Sequence, residues 1–294
     1  MIDTNDNLKR DNVCIVEISK IKDFPNHPFL VKDDESMAQL VNSIRMNGVL
    51  NPVIARRLDD EHYELISGHR RKHACILLGI DRIPLIGREM SREEAVIEMV
   101  DSNLQREHIL PSEKARAYKM KMDAMKQQGK RTDLTSTPLA GKSKERETAS
   151  IIGSANGESG DQVRRYIRLN ELTKELLEFV DEGKIGMRPA VELSYLQEDE
   201  MRDLVDFIDD EEVFPSHAQT IRMKALSREG KLNTDAIRDI MLEEKPNQKA
   251  RIKIPIEKIE KYFPSGTSHQ QMEDTIVKAL AMYRQRQKES RDAR

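Results

Sequence analysis

Four basic or potentially basic side chains lie together at the start of a predicted helix. The sequence ISGHRRKHACILLGI, residues 66–80, places His69, Arg70, Arg71 and Lys72 at consecutive positions. Cations at this point face the positive end of the helix dipole, which costs about 0.3–1 kcal/mol for each exposed charge. A bound phosphate would reverse this cost, because the free N–H groups of a helix N-terminus bind anions. The stretch therefore predicts a phosphate site.

A second polar group lies in VDSNLQREHILPSEKARAY, residues 100–118. Asn103 and Arg106 are three positions apart near the predicted end of a helix, beside Asp101 and Gln105. An amide next to a carboxylate is suited to a hydrated divalent metal, and a guanidinium can pair with phosphate in a fork geometry. The stretch predicts a second part of the same phosphate site.

A small α+β fold is predicted around these two stretches. Runs of β-branched and other apolar residues predict four strands. The predicted strands are residues 13–17, 51–56, 62–66 and 83–87. Apolar residues at helical spacing before Gly48 predict a helix between the first two strands. Its predicted buried positions are Met37, Leu40, Val41 and Ile44.

The helix that carries the basic group is predicted to follow an N-cap at Ser67. Ala74, Leu77 and Leu78 are its predicted buried face, and Gly79 is its predicted end. Later helices are predicted at residues 92–104, 111 to about 128, and about 145–152, 160–169, 173–182, 188–196, 198–209, 216–227 and 233–243.

Composition favours helical modules with modest cores. The 294 residues are 34% charged, 37% hydrophobic and 4% aromatic. No apolar run approaches the ~20 residues of a membrane span, and the polar N-terminus has no signal-peptide pattern. Cys14 and Cys75 lack the spacing of a zinc site. A cytoplasmic protein is predicted.

The middle of the chain is basic although the whole chain has a net charge of −3. Residues 112–172 contain 13 Lys and Arg against 8 Asp and Glu. They include a predicted flexible basic loop at residues 129–144, rich in Gly, Ser, Thr, Pro and Lys. A polyanion partner explains this asymmetry, and a solvated basic helix with a linker explains it equally well.

Residues 147–173, ETASIIGSANGESGDQVRRYIRLNELT, have the layout of a helix-turn-helix. A first helix at 145–152, a turn at Gly153 and Gly157 that is longer than the usual 3–4 residues, and a second helix capped by Ser159 are predicted. Exposed arginines on a second helix suit phosphates and guanine acceptors. The predicted DNA-binding residues are Ser159, Gln162, Arg164, Arg165 and Arg168. The alternative is a basic helical hairpin without a DNA function.

Three short motifs together resemble those of ParB/RepB-type partition proteins. They are GVLNPVIAR at 48–56, SGHRRKHA at 67–74 and DSNLQRE at 101–107, and a helix-turn-helix follows them. The resemblance implies an α+β ParB-like nucleotide-binding domain at 1–110 and an all-α DNA-binding domain at 111–245. It implies a small C-terminal dimerisation region at 246–294, where Met272, Ile276, Leu280 and Tyr283 form an amphipathic stripe.

The same resemblance implies a function. Members of the family bind a centromere-like site in double-stranded DNA and use CTP with Mg²⁺ to close a dimeric clamp. A ParA-type ATPase is the implied partner, and the nucleoid is the implied location. The implied nucleotide-binding residues are Asn51, Pro52, Gly68, His69, Arg70, Arg71, Asn103 and Arg106, with Asn103 also at the metal position.

Two positions depart from the family pattern. His69 and Ser102 replace carboxylates that the family places near the nucleotide and the metal. Binding is expected to survive, and weak CTP hydrolysis remains open. The alternatives are a ParB-like transcription regulator without nucleotide switching and a ParB-like nuclease. A redox role would require an exposed Cys75, and a packed thiol is expected instead.

Overall fold

A computed structural model describes residues 13–106, 109–132, 141–243, 259–264 and 267–292 of the chain. The N-terminal part contains five strands and three helices. The strands are β1 (Val13–Glu17), β2 (Ile21–Lys22), β3 (Val53–Arg57), β4 (Tyr63–Ser67) and β5 (Arg82–Arg88). The helices are α1 (Glu35–Asn47), α2 (His69–Leu77) and α3 (Arg92–Leu104).

The five strands form one mixed sheet in the order β1-β5-β3-β4-β2. The pairs β1–β5 and β3–β4 are antiparallel, whereas β3–β5 and β2–β4 are parallel. Side chains of α1 and α2 bury one face of the sheet, as Met37 and Ala74 illustrate. Helix α3 packs on the other face through Ala95 and Met99. The predicted α+β N-terminal fold is confirmed.

Most of the predicted elements are confirmed, with small shifts at their ends. The four predicted strands and the helix at 92–104 are present, and Gly48 ends α1 with φ 70°. Strand β2 was not predicted, because two residues are too short to show an alternating pattern. The predicted cap at Ser67 is wrong, since Gly68 occupies that position. Leu77 is exposed, and Cys75 fills the core instead.

The described residues that follow, up to residue 243, are mainly helical. They are α4 (Pro111–Thr132), α5 (Gly141–Ala155), α6 (Gly160–Arg168), α7 (Lys174–Asp181), α8 (Met187–Leu193), α9 (Glu198–Glu211), α10 (His217–Arg228) and α11 (Thr234–Leu242). The predicted loop at 129–144 is wrong at both ends, because α4 continues to Thr132 and α5 begins at Gly141. Residues 133–140 lie outside the described ranges.

The chain divides into two compact units, at residues 1–243 and 244–294. The described residues of the second unit contain a 3₁₀ turn at Glu260–Tyr262 and helix α12 (His269–Asp292). The three-domain division and the role of 246–294 in dimerisation stay predictions. Among the described residues, the structure has no helix with the length and apolar character of a membrane span.

Helices α5 and α6 are joined by a short turn. Helix α5 continues to Ala155 and α6 begins at Gly160, which leaves the four residues 156–159 between them. The predicted longer turn is therefore wrong, and the connection has the length typical of a helix-turn-helix. The two helices meet closely at Gly153, where an added Cβ would lie 2.6 Å from the carbonyl oxygen of Glu158.

We predict that Gly153→Ala destabilises the chain by about 1–3 kcal/mol, because the methyl group would collide with the backbone of the turn. Alanine is the better helix former, so a stabilisation would contradict the predicted collision. Urea unfolding monitored by circular dichroism measures the effect. Gly186→Ala is the matched control, since its Cβ would meet only Pro189 Cδ, at 3.8 Å.

Candidate functional site

A cavity of about 480 Å³ lies beside α1, the first turn of α2 and the end of α3. Its lining residues are Ser36, Leu40, Ser67, Gly68, His69, Arg70, Arg71, Ser102, Asn103 and Arg106. The structure thus brings together six of the eight nucleotide-binding residues that the family resemblance implied. Asn51 and Pro52 are the exceptions, since they do not line the cavity. Two motifs that are far apart in sequence share one cavity.

Gly68 places the first turn of α2 at the cavity. Its φ of 108° lies in a region that residues with a Cβ rarely adopt. An added Cβ would also lie 2.6 Å from Val53 Cγ1. Because glycine avoids both problems, β4 can pass directly into α2, and the first residues of the helix, whose N–H groups have no partner within the helix, line the cavity.

Protein oxygens hold both arginines of the first turn of α2. Arg70 Nη2 donates to Ser36 Oγ at 2.7 Å and lies 3.8 Å from Asp34 Oδ1. Arg71 Nη1 donates to the carbonyl oxygens of Asn51 at 2.6 Å and Pro52 at 2.7 Å. Asn51 and Pro52 therefore contribute to the cavity indirectly, because their carbonyl oxygens hold the side chain of Arg71.

The residues from the end of α3 supply an amide and a third guanidinium. Asn103 Nδ2 donates to the carbonyl oxygen of Met99 at 2.7 Å, which leaves its Oδ1 as an acceptor. The guanidinium of Arg106 lies over the ring of Phe29, 5.5 Å from its centroid. The end of α3 thus adds one positive charge and one amide oxygen to the cavity.

The charge of the cavity suits an anion. Asp101, which was grouped with Asn103 as a metal ligand, pairs with Lys121 instead. Ser102 Oγ donates to the carbonyl oxygen of Met99 at 3.0 Å. Of the described residues, those lining the cavity offer a divalent metal the amide oxygen of Asn103 and no carboxylate. Mg²⁺ commonly binds few protein groups and the phosphates of its ligand, so this donor set fits a metal that arrives with a polyphosphate.

Lys72 was predicted to be part of the anion site because it follows Arg71 in the sequence, but it does not line the cavity. It is buried, and its Nζ donates to the carbonyl oxygen of Ile21 at 2.8 Å and to Asp23 Oδ1 at 2.7 Å. The ion pair and the hydrogen bond fix the segment after β2 against α2. Burial requires such partners for an ammonium group, so Lys72 is a structural residue.

His69 contacts a histidine that the sequence analysis missed. The rings of His27 and His69 stack with their centroids 3.8 Å apart and their planes at 39°. His27 is held by a 2.7 Å hydrogen bond between its Nδ1 and the carbonyl oxygen of Phe29. Burial lowers the pKa of both imidazoles, that of His69 to about 3. The sequence around His27 has no motif or periodicity that could have predicted this contact.

Two further residues of α2, His73 and Cys75, have other surroundings than this pair. His73 Nε2 lies 2.7 Å from Asp33 Oδ1, so His69 and His73 face different partners. Cys75 is fully buried, and burial raises the pKa of its thiol. The expected packed thiol is confirmed. In the described part of the chain, no group of three His, Cys, Asp or Glu residues could hold a metal ion.

The second candidate surface lies on α6. Ser159 Oγ accepts from the backbone N–H of Gln162 at 3.1 Å, which confirms the predicted cap. Arg164 and Arg165 are exposed, and Arg164 pairs with Asp161. The side chains of α6 that point away from the core thus present two guanidinium groups to solvent.

The expected exposed position of Arg168 is wrong. Its Nε donates to Ser194 Oγ at 3.0 Å and its Nη2 to the Ser194 carbonyl oxygen at 2.6 Å. Its guanidinium also stacks on Tyr195, 4.2 Å from the ring centroid. These contacts join α6 to the end of α8, so Arg168 has a packing role in this structure.

Glu158 fixes the turn before α6 to helix α4. Its carboxylate accepts from Lys114 Nζ at 2.7 Å and from the hydroxyl of Tyr118 at 3.0 Å. Tyr118 is fully buried, together with Ile152 of α5 and Val163 of α6. Helix α4 therefore positions both helices of the candidate DNA-binding unit.

Residues 3–104 match the family model of the ParB N-terminal domain. This part of the chain is a ParB N-terminal domain. The match includes all three motifs on which the resemblance was based, except the last three residues of DSNLQRE. The cavity lies within the ParB N-terminal domain and at its end, from Ser36 to Arg106.

Two curated relatives extend the similarity beyond this domain. A nucleoid occlusion protein of Listeria innocua is 30% identical over 190 residues, which are 64% of this chain and 60% of the relative. A probable chromosome 1-partitioning protein ParB of Deinococcus radiodurans is 31% identical over 179 residues, 60% of this chain and 54% of the relative. The chain thus spans at most about 60% of the length of these relatives.

Two solved structures of a C-terminally truncated chromosome-partitioning protein ParB from Caulobacter crescentus are also similar. The complex with the centromeric parS site has a TM-score of 0.41 and 21% identity, and covers 74% of this chain and 99% of that one. The complex with CTP-γ-S has a TM-score of 0.30 and 24% identity, and covers 67% and 99% of the two chains.

His27 and His69, which are partly buried, are expected to make the stability of the chain depend on pH. Both have a lower pKa in the folded chain than the value of about 6.5 in an unfolded chain. The stability that depends on their neutral form is therefore present above pH 6.5 and is lost as the pH falls toward the folded pKa. We expect Tm to fall by several degrees between pH 7 and pH 5, and to fall less in His69→Gln.

Thermal unfolding at both pH values tests this expectation. His62→Gln is the control, since His62 is more exposed and pairs with Asp59 outside the cavity. An equal loss of Tm in the wild type and in His69→Gln would contradict the buried neutral state of His69.

Proposed function

We propose that this chain is a DNA-binding protein of the partition type whose ParB N-terminal domain binds CTP as a switch. One observation carries the nucleotide part of this proposal. Three arginines, Arg70, Arg71 and Arg106, line one cavity together with the N-terminal residues of α2. Helix N-termini bind phosphate, and guanidinium groups pair with it in a fork geometry.

The same geometry indicates how a triphosphate would be held. Phosphoryl oxygens are stronger acceptors for Arg70 than the hydroxyl of Ser36, so the ligand would replace that contact. Arg71 would keep its carbonyl partners and supply positive charge. Asn103 Oδ1 would face the bound Mg²⁺, which would neutralise the phosphates. CTP is the nucleotide that the family resemblance implies, and CTP-γ-S is bound in the C. crescentus structure.

The cavity supports binding more than turnover. His69 stands where the family has a carboxylate, and its imidazole stacks on His27. The hydroxyl of Ser102, which replaces the second carboxylate, donates to a backbone carbonyl. Neither group is placed as a general base for water. We therefore propose that CTP acts as a bound effector and that any hydrolysis is slow.

The DNA part of the proposal rests on α5 and α6. The four-residue turn, the cap at Ser159 and the exposed Arg164 and Arg165 are the features of a helix that contacts phosphates and base edges. The C. crescentus relative is complexed with its centromeric parS site. We propose that α6, including Gln162, contacts double-stranded DNA of a centromere-like site.

Assembly is the remaining part of the proposal. On α12, Leu280 is 62% and Tyr283 63% exposed, while Met272 is buried. An exposed apolar stripe on a helix suits a second copy of the same helix. We propose that residues 246–294 form a homodimer, that CTP closes the dimer as a clamp on DNA at the nucleoid, and that a ParA-type ATPase is its partner.

Two other functions remain as outcomes of the tests. A ParB-like transcription regulator would bind DNA and no nucleotide. A ParB-like nuclease would need a metal centre, for which the described residues provide no cluster of ligands.

We predict that Arg70→Ala weakens CTP binding at least tenfold, because a charge-assisted contact to phosphate is worth about 1.5–3 kcal/mol. Isothermal titration calorimetry with CTP and MgCl₂ on the full chain measures the dissociation constant. Arg82→Ala is the control, since Arg82 pairs with Glu17 on the sheet and lies outside the cavity. If the well-folded wild type binds no nucleotide, the regulator without a switch becomes the better description.

We predict that Arg165→Ala weakens DNA binding and lowers the slope of log K against log salt by about one, because one phosphate contact is lost. Fluorescence anisotropy with a labelled DNA duplex over a series of salt concentrations measures both quantities. Arg202→Ala is the control, since Arg202 is exposed on α9 and pairs with Glu198. Equal slopes for the wild type and Arg165→Ala would contradict the proposed contact between α6 and the DNA backbone.

A further inference from the structure

Two partly buried histidines, one of which lines the cavity, are not explained by phosphate binding alone. His69 lines the cavity, and its ring stacks on that of His27 at 3.8 Å. The Nε2 atoms of both rings are buried, and neither has a hydrogen-bond partner among the described residues. Buried polar nitrogens without partners are uncommon and costly. The pair therefore has an unused capacity to bind a proton.

Desolvation is the main reason that the pKa of each histidine is lowered, and each imidazolium of the stacked pair would also repel the other. The charged groups around the pair act in both directions. Lys72 from α2 and Arg106 from the end of α3 oppose a positive charge on His69, and Arg106 opposes one on His27. Asp23 and Glu113 favour a charge, but each is already engaged. Asp23 pairs with Lys72, and Glu113 of α4 accepts from the backbone N–H of Leu30 at 2.8 Å.

A polyphosphate would change this balance. It would bring several negative charges into the cavity that His69 lines, and the neighbouring guanidinium groups would pair with the phosphates. The positive field that opposes protonation of the pair would then be compensated. An opposite charge within about 4–6 Å favours the charged form of a titratable group.

We propose that the His27–His69 pair takes up a proton from solvent when a polyphosphate anion binds, so that anion and proton bind together. This inference rests on the proposed nucleotide site and adds its regulation. No covalent bond changes in the step: the proton comes from the buffer and is released when the anion leaves.

The direction of the pH effect follows from the sign of the change. The bound form has the higher histidine pKa, so it holds more protons than the free form at any pH between the two values. Affinity for the anion therefore rises as the pH falls through this interval, by up to tenfold per pH unit for one proton. Below the pKa of the free form the contribution of the histidine pair to the affinity is constant.

Calorimetry in two buffers tests the inference. CTP with MgCl₂ is titrated into the full chain at pH 6.0 in cacodylate and in MES, which differ in enthalpy of ionisation, so the difference in heat gives the number of protons taken up. We expect the wild type to take up more protons than His69→Gln or His27→Gln. His73→Gln is the matched control, since His73 lies on the same helix and faces Asp33.

The comparison separates the inference from the proposed function. CTP has its own proton equilibrium, which is common to all four proteins and cancels between them. Equal proton uptake by the wild type and both variants, with CTP bound in each case, overturns the inference and leaves the nucleotide site standing. No binding of CTP by the folded wild type overturns both. Thermal unfolding confirms the fold of each variant, and either single variant suffices for the test.

Discussion

The candidate site depends on the backbone of one glycine. At Gly68 the chain leaves a buried strand and enters a helix with φ at 108°, against the side chain of Val53. A residue with a Cβ would have to move either the strand or the helix. The turn therefore fixes the direction of the first N–H groups of α2 and, with them, the positions of Arg70 and Arg71. The cations at the start of α2 are repelled by the helix dipole. A bound anion would offset this repulsion, because it can pair with the guanidinium groups and with the free N–H groups of the helix.

The sequence could predict those parts of the site that are local. Arg70, Arg71 and Gly68 lie in one motif, and Asn103 and Arg106 lie in another, and the structure brings the two motifs to one cavity. It could not predict His27, which contacts His69 from an irregular segment that Lys72 fixes against α2. Nor could it predict the role of Lys72 itself, since burial is decided by the fold of that segment and not by the neighbouring residues.

The predicted ends of helices and the predicted exposed faces were wrong for a related reason. The stretch at 129–144 contains the residues of a loop, yet α4 and α5 extend into it from both sides. Arg168 lies on the helical face that pattern alone assigns to solvent, but Ser194 and Tyr195 from α8 cover it. At Arg168, packing between distant segments overrides local preference. The fold class, which reflects the pattern of whole elements, is less sensitive to such contacts.

Helix α4 has a mechanical consequence. It is 22 residues long, which corresponds to about 33 Å, and one face contacts α3 while another holds Glu158 through Lys114 and Tyr118. Because Glu158 fixes the turn to α4, a tilt of α4 would carry α5 and α6 together. In the proposed dimer on DNA, such a tilt would change the distance between the two copies of α6 and leave the exposed side chains of each copy unaltered. An effector that acts through α4 would then adjust the spacing of the two helices and not the bases that each one contacts.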